Sequence, residues 1–129
     1  RGRKRMQVLL VALGGALGAT LRYLVTSWVQ QRVDFFPWGT LAVNLLGSFL
    51  IGVVLELTVR GFLSSQARLF LAVGLLGGFT TFSSFSWETL ALLEDGDVLP
   101  ALLYAGGSLV VGIVLAWVGS VTVRWLWTV

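Results

Sequence analysis

The chain contains no cysteine and no histidine, and only 12% of its 129 residues are charged. Without cysteine there is no disulfide, thiol nucleophile or thiolate metal site, and without histidine the usual imidazole base and the commonest zinc, copper and haem ligand are gone. The serines have no histidine to activate them. The six acidic residues are too few and too scattered to form a carboxylate pair or a metal site, so an enzyme is disfavoured. What fills the chain instead is apolar: 57% hydrophobic residues and a mean hydropathy of +0.90, where ordinary soluble domains have roughly 45–50% apolar and 25% charged residues. Such a composition belongs in a bilayer. The net charge of +3 comes largely from the leading RGRKR, a cluster that suits anionic lipid headgroups better than nucleic acid.

Apolar stretches run over residues 6–28, 38–59, 68–93 and 99–129, each long enough for about 30 Å of hydrocarbon at about 1.5 Å per residue. The first is long and is followed by others, so it reads as a span and not as a cleaved signal. The breaks are short: one carries Arg32, Asp34 and Pro37, the next Arg60, Gly61, Ser64 and Ser65, and the last reads EDGDV. Short links make consecutive helices antiparallel neighbours, and the expectation is a single integral-membrane domain over 1–129. Trp28, Trp38, Trp125 and Trp127 fall near span ends, at headgroup level. With the amino terminus inside, that side collects Arg1, Arg3, Lys4, Arg5, Arg60, Arg68 and Arg124, against Arg32 and the deeper Arg22 outside. Without RGRKR the body is nearly undecided. Small residues recur every four positions, at Gly14 and Gly18, at Ser48 and Gly52, and at Ser108, Gly112, Ala116 and Ser120. These stripes let helices approach closely, within a subunit or between two.

Polar groups at membrane depth are costly and therefore informative. Arg22 and Glu56 lie toward span ends, where snorkelling to the interface competes with function. Glu88 stands just before the acidic link, within reach of water or of a buried network. Asn44 is deeper; its amide must bond a neighbouring helix or face a water-filled path. Thr40, Ser48, Tyr104 and Ser108 present the same choice more weakly, because a hydroxyl can bond back to its own helix.

One segment concentrates these properties: GGFTTFSSFSWE, residues 77–88. Gly74, Gly77 and Gly78 weaken a helix, and Thr80 and Thr81 add β-branching and competing hydroxyls, so the third span is expected to unwind near Gly77 to Thr81. Unwound backbone at this depth is tolerated where it is buried in protein or lines a cavity, and its freed carbonyls suit a small cation. Beyond the break Phe82 and Phe85 share a helix face, with Ser83, Ser84 and Ser86 around it. A ring edge is partially positive. Edges together with Asn, Ser, Thr and Tyr donors would hold a small hard anion weakly enough to release it.

GGALGATLRY at 14–23, WGTLAVNLLGSFLIG at 38–52 and GGFTTFSSFSWE at 77–88 resemble, in order and spacing, the motifs of the Fluc (CrcB) family of fluoride channels. The resemblance covers essentially the whole chain. It implies an all-α, four-span subunit in an antiparallel, dual-topology homodimer of the cell inner (plasma) membrane, with two pores for passive fluoride export and a structural sodium ion at the dimer centre. By position, Phe82 and Phe85 match the pore-lining rings and Asn44 the pore asparagine. Ser83, Ser84, Tyr104 and Ser108 are candidates for a hydroxyl track, Gly77 and Thr80 match the sodium-binding carbonyls, and Arg22 and Glu88 match vestibule or structural positions. Ser84 stands where the family motif usually has threonine, and the charge bias of RGRKR works against equal insertion in both orientations. Two other classes compete. A small proton-coupled multidrug transporter would need a carboxylate in the first span, which has none. A non-conducting membrane subunit explains the small-residue stripes but not the coincidence of helix break, paired phenylalanines and Asn44.

Overall fold

The computed structural model describes residues 1–33 and 35–128; Asp34 of the first link and Val129 at the end of the fourth expected span lie outside the described residues. Four helices are long and apolar enough to cross a membrane: Gly2–Gln30, Trp38–Val59, Ser65–Glu94 and Val98–Leu126. Among the described residues there is no strand, and the chain is a multi-pass membrane protein. The first helix starts at Gly2 and so includes the basic cluster, since Arg and Lys are good helix formers and need not leave the helix where the hydrocarbon ends.

Two links turn on glycine. Gly61 and Gly96 adopt φ of 81° and 83°, a region closed to most other residues. In each case the following N–H reaches back five residues, from Phe62 to the Leu57 carbonyl and from Asp97 to the Leu92 carbonyl, while the glycine N–H bonds a carbonyl three back. This left-handed closure satisfies the orphan carbonyls of a helix end. It also reverses the chain tightly, which makes the flanking spans antiparallel.

The helices pack in two pairs, each through glycine. The first helix lies against the first arm of the third span (residues 65–79, the second arm being residues 82–94): a Cβ at Gly14 would strike the Phe70 carbonyl oxygen, and one at Gly18 the Leu75 carbonyl oxygen. The second helix lies against the fourth, where a Cβ at Gly52 would strike the Ala116 carbonyl and one at Gly119 the Phe49 carbonyl. The small-residue stripes thus serve packing within the subunit, where close backbone approach supplies the dispersion contacts that hydrocarbon solvent cannot drive. A buried cluster of Leu92, Ala101 and Tyr104, flanked by Phe36, Leu41 and Phe85, joins the second arm of the third span to the fourth helix and the first link. At the far end Glu56 accepts from Ser120 (2.9 Å), Arg124 (3.0 Å) and Arg60 (3.2 Å), tying the second and fourth helices together. Glu56 is therefore the centre of an ion network that also places Arg60 and Arg124.

Candidate functional site

The third span is not one regular helix. After Ser65–Arg68 it widens into a π-helical stretch, Leu69–Leu76, followed by a last turn, Gly77–Phe79. Thr80 (φ −90°, ψ 158°) and Thr81 (φ −148°, ψ 118°) are extended, and the helix resumes over Phe82–Glu94. The break falls on the two threonines alone. Gly77 remains helical at φ −61°, ψ −37°, so the glycines do not cause the unwinding. Gly74 and Gly78 serve close packing instead: a Cβ there would come within 2.9 Å of the Val11 carbonyl oxygen and 2.7 Å of the Gly15 carbonyl oxygen, respectively. The threonines break the helix because their β-branched side chains favour extended backbone and their hydroxyls offer local partners.

Each polar group exposed by the break finds a definite partner, or is left without one for a definite reason. The Asn44 amide pairs with the backbone of Thr81 on both sides, accepting from its N–H (2.8 Å) and donating to its carbonyl (3.0 Å). In a continuous helix that N–H would have bonded the Gly77 carbonyl. The Thr81 hydroxyl caps the second arm by accepting from the Ser84 N–H (3.2 Å), a donor that would otherwise have bonded the Thr80 carbonyl. Two side chains thereby release two carbonyls: among the described residues, no donor bonds the oxygen of Gly77 or of Thr80. The Leu76 carbonyl is taken by both the N–H (3.1 Å) and the hydroxyl (3.0 Å) of Thr80. The Gly78 carbonyl accepts from Arg22 Nε (2.9 Å), which sets a cation at a helix carboxyl end, where it is favoured.

All the expected residues except Ser83 and Tyr104 fall on two clefts that meet at Thr81. One, of about 400 Å³, is lined by Asn44, Ser108, Phe82, Phe85, Gly77 and Thr80, with Ser48 and Thr81. The other, of about 560 Å³, is lined by Arg22, Glu88 and Ser84, with Gln30, Thr40 and Thr81. Arg22 and Glu88 share this second cleft without bonding each other; Glu88 accepts from the buried Thr40 hydroxyl at 2.6 Å. Ser83 is exposed, its hydroxyl 3.3 Å from that of Thr81. Tyr104 lines neither cleft. Its ring is 1% exposed, packed between Phe36 (centroids 5.5 Å apart, 81° between planes) and Phe85 (5.1 Å). The Tyr104 and Ser108 hydroxyls are buried with no hydrogen-bond partner among the described residues. Phe82 is 79% exposed, with its ring 5.8 Å from that of Phe85.

Three contributors were not legible as site residues. Thr81 was readable as a helix breaker, but its double role as cap and as partner of Asn44 depends on the second helix. Thr40 ranked only as one hydroxyl among several until Glu88 was seen beside it. Gln30 gave no signal; it donates to the Val33 and Phe36 carbonyls and accepts from the Gly39 N–H, partners that only the folded link brings together.

An amide, hydroxyls, aromatic rings and bare carbonyls are thus gathered around a helix break in a membrane protein, along two clefts. The chain belongs to the CrcB family, whose model, described as "CrcB-like protein, Camphor Resistance (CrcB)", matches residues 9–120 and so includes every candidate site residue. A Thermus thermophilus protein named fluoride-specific ion channel FluC is 65% identical over 112 residues, covering 86% of this chain and 88% of its own. Proteins of the same name from Chlorobium chlorochromatii and Agrobacterium fabrum are 48% identical over 124 residues (95% and 96% covered) and 49% identical over 116 residues (88% and 93% covered).

Proposed function

We propose that the chain is the subunit of a fluoride-selective channel that lets fluoride leave the cell passively across the inner (plasma) membrane. The observation that carries this reading is the near-full-length similarity to proteins named fluoride-specific ion channels, over a stretch that contains both clefts. The chemistry of the first cleft supports it. Ring edges of Phe82 and Phe85, the Asn44 amide and the Ser108 hydroxyl offer partial positive charge, and among the described residues no cationic side chain lines that cleft. An anion so held can leave again. Fluoride efflux from proteoliposomes is expected to exceed chloride efflux by orders of magnitude; equal or absent flux of both overturns the reading.

In the same proposal two subunits associate as an antiparallel, dual-topology homodimer with two fluoride paths, each using Phe82 and Phe85 with Asn44, Ser83, Ser84, Tyr104 and Ser108 as donors. The exposure of Phe82 and the openness of the first cleft in a single subunit favour completion by a second copy. The bare carbonyls of Gly77 and Thr80 fit a structural sodium ion, since a hard cation takes neutral oxygen ligands and these two have no competing donor. Two carbonyls from one chain are too few, and an antiparallel second copy would double them. Bound there, sodium would supply positive charge that holds the two breaks together. Prolonged exchange of sodium for N-methylglucamine is expected to abolish fluoride flux and lower the thermal stability of the dimer; flux indifferent to the cation removes the ion from the scheme. Arg22 and Glu88 take a vestibule role at the second cleft.

A further inference from the structure

Phe85 is the inner end of a row of aromatic rings. Its ring meets the buried Tyr104 ring at 5.1 Å, Tyr104 meets Phe36 edge to face at 5.5 Å, and Phe36 lies 4.7 Å from Trp38. Tyr104 and Phe36 also belong to the same buried cluster as Phe85, so displacement of one ring is felt by the next. The outer end of this row sits on the link between the first two helices, where the Gln30 side chain makes three hydrogen bonds. Gln30 Nε2 donates to the Phe36 carbonyl (3.0 Å) and the Val33 carbonyl (3.2 Å), while its Oε1 accepts from the Gly39 N–H at the start of the second helix (3.2 Å). The Phe36 carbonyl also accepts from the Trp38 N–H (2.8 Å), so the backbone of Phe36 is fixed from two directions.

We propose that Gln30 and Phe36 are positioning residues for the fluoride path: Gln30 fixes the Phe36 backbone, and the Phe36 ring, through Tyr104, fixes the angle at which Phe85 presents its edge to the ion. This rests on the fluoride-channel reading and adds a requirement from residues outside the first cleft. The physical need is angular. A quadrupole attracts an anion at its edge and repels it at its face, so a ring free to rotate loses binding even when it stays in place.

The test separates rate from assembly. Proteoliposomes are loaded at less than one channel per vesicle on average; the fraction of vesicles that empty counts assembled channels, and the initial rate reports transport by each. Phe36→Leu, which keeps an apolar side chain but removes the ring, is expected to lower the initial fluoride rate about tenfold, the order that a lost aromatic contact allows, with the emptying fraction unchanged. Gln30→Met, similar in shape but without donors, is expected to lower it severalfold, and Phe36→Tyr to retain the wild-type rate. Wild-type rates in both Phe36→Leu and Gln30→Met, or losses confined to the emptying fraction, overturn the positioning role. A wild type that passes no fluoride overturns the channel reading itself, and the two failures are distinguished in one experiment.

Discussion

Replacing Asn44 with leucine is expected to stop fluoride transport almost completely, although leucine has a similar volume and suits a membrane helix. The loss follows from two hydrogen bonds to one residue, at 2.8 and 3.0 Å from Thr81. Interhelical hydrogen bonds in a membrane contribute about 0.6–2 kcal/mol each, so removing both disfavours the broken conformation by about 1–4 kcal/mol, a factor of about 10 or more in its population. The Thr81 N–H then has its helical partner available again, the Gly77 carbonyl. Regular helix replaces the break and takes back an oxygen that the first cleft needs. Initial fluoride efflux from proteoliposomes containing the Asn44→Leu protein, normalised to the fraction of active vesicles, checks this. A rate within severalfold of wild type would mean that Thr80 and Thr81 hold the break unaided.

The second large effect is on assembly. A Gly18→Val substitution is expected to prevent stable folding, because the first branch atom of any side chain at position 18 would overlap the Leu75 carbonyl oxygen and crowd the Phe79 N–H. Neither neighbour can rotate away, since both are backbone. The first helix would have to retreat from the third span, losing the paired contacts at Gly14 and Gly78 and the reach of Arg22 to the Gly78 carbonyl. Overpacking of a rigid contact costs about 1–3 kcal/mol, and the loss of the interhelical bond adds about 1 kcal/mol. Thermal melting of the detergent-solubilised protein, followed by size-exclusion chromatography, measures the outcome. Gly107, with no atom near its Cβ position, provides the control: Gly107→Ala is expected to melt like the wild type.

The four spans were legible because bilayer thickness writes itself into the length of an apolar run, and the interruption of the third was legible in GGFTT. Its cause was not. Glycine weakens a helix in isolation, so the sequence pointed to Gly77 and Gly78; in the folded protein Gly78 packs against the first helix and Gly77 stays helical, and the threonines turn out to be extended. Local propensity gave way to tertiary packing. Asn44 shows the same limit from the other side. Its depth demanded a partner, yet whether that partner was another helix or an aqueous path could not be read from WGTLAVN. The structure gives the first and places the residue on the cleft as well. For Tyr104 the hydroxyl drew attention in the sequence, whereas in the fold its ring, wedged between Phe36 and Phe85, makes the contacts.

The threonine break has a mechanical side. The first arm of the third span is bound to the first helix by interlocked glycines, and the second arm is joined through the Tyr104 cluster to the fourth helix and, through Thr40 and Glu88, to the second. The third span thus joins its two arms to different neighbours, with Thr80 and Thr81 as the seam, while the first and second helices also meet directly where Gly39 packs on the Thr26 backbone. A bilayer that tilted the two arms unequally would load this seam, where Thr81 borders both clefts and Thr80 the first.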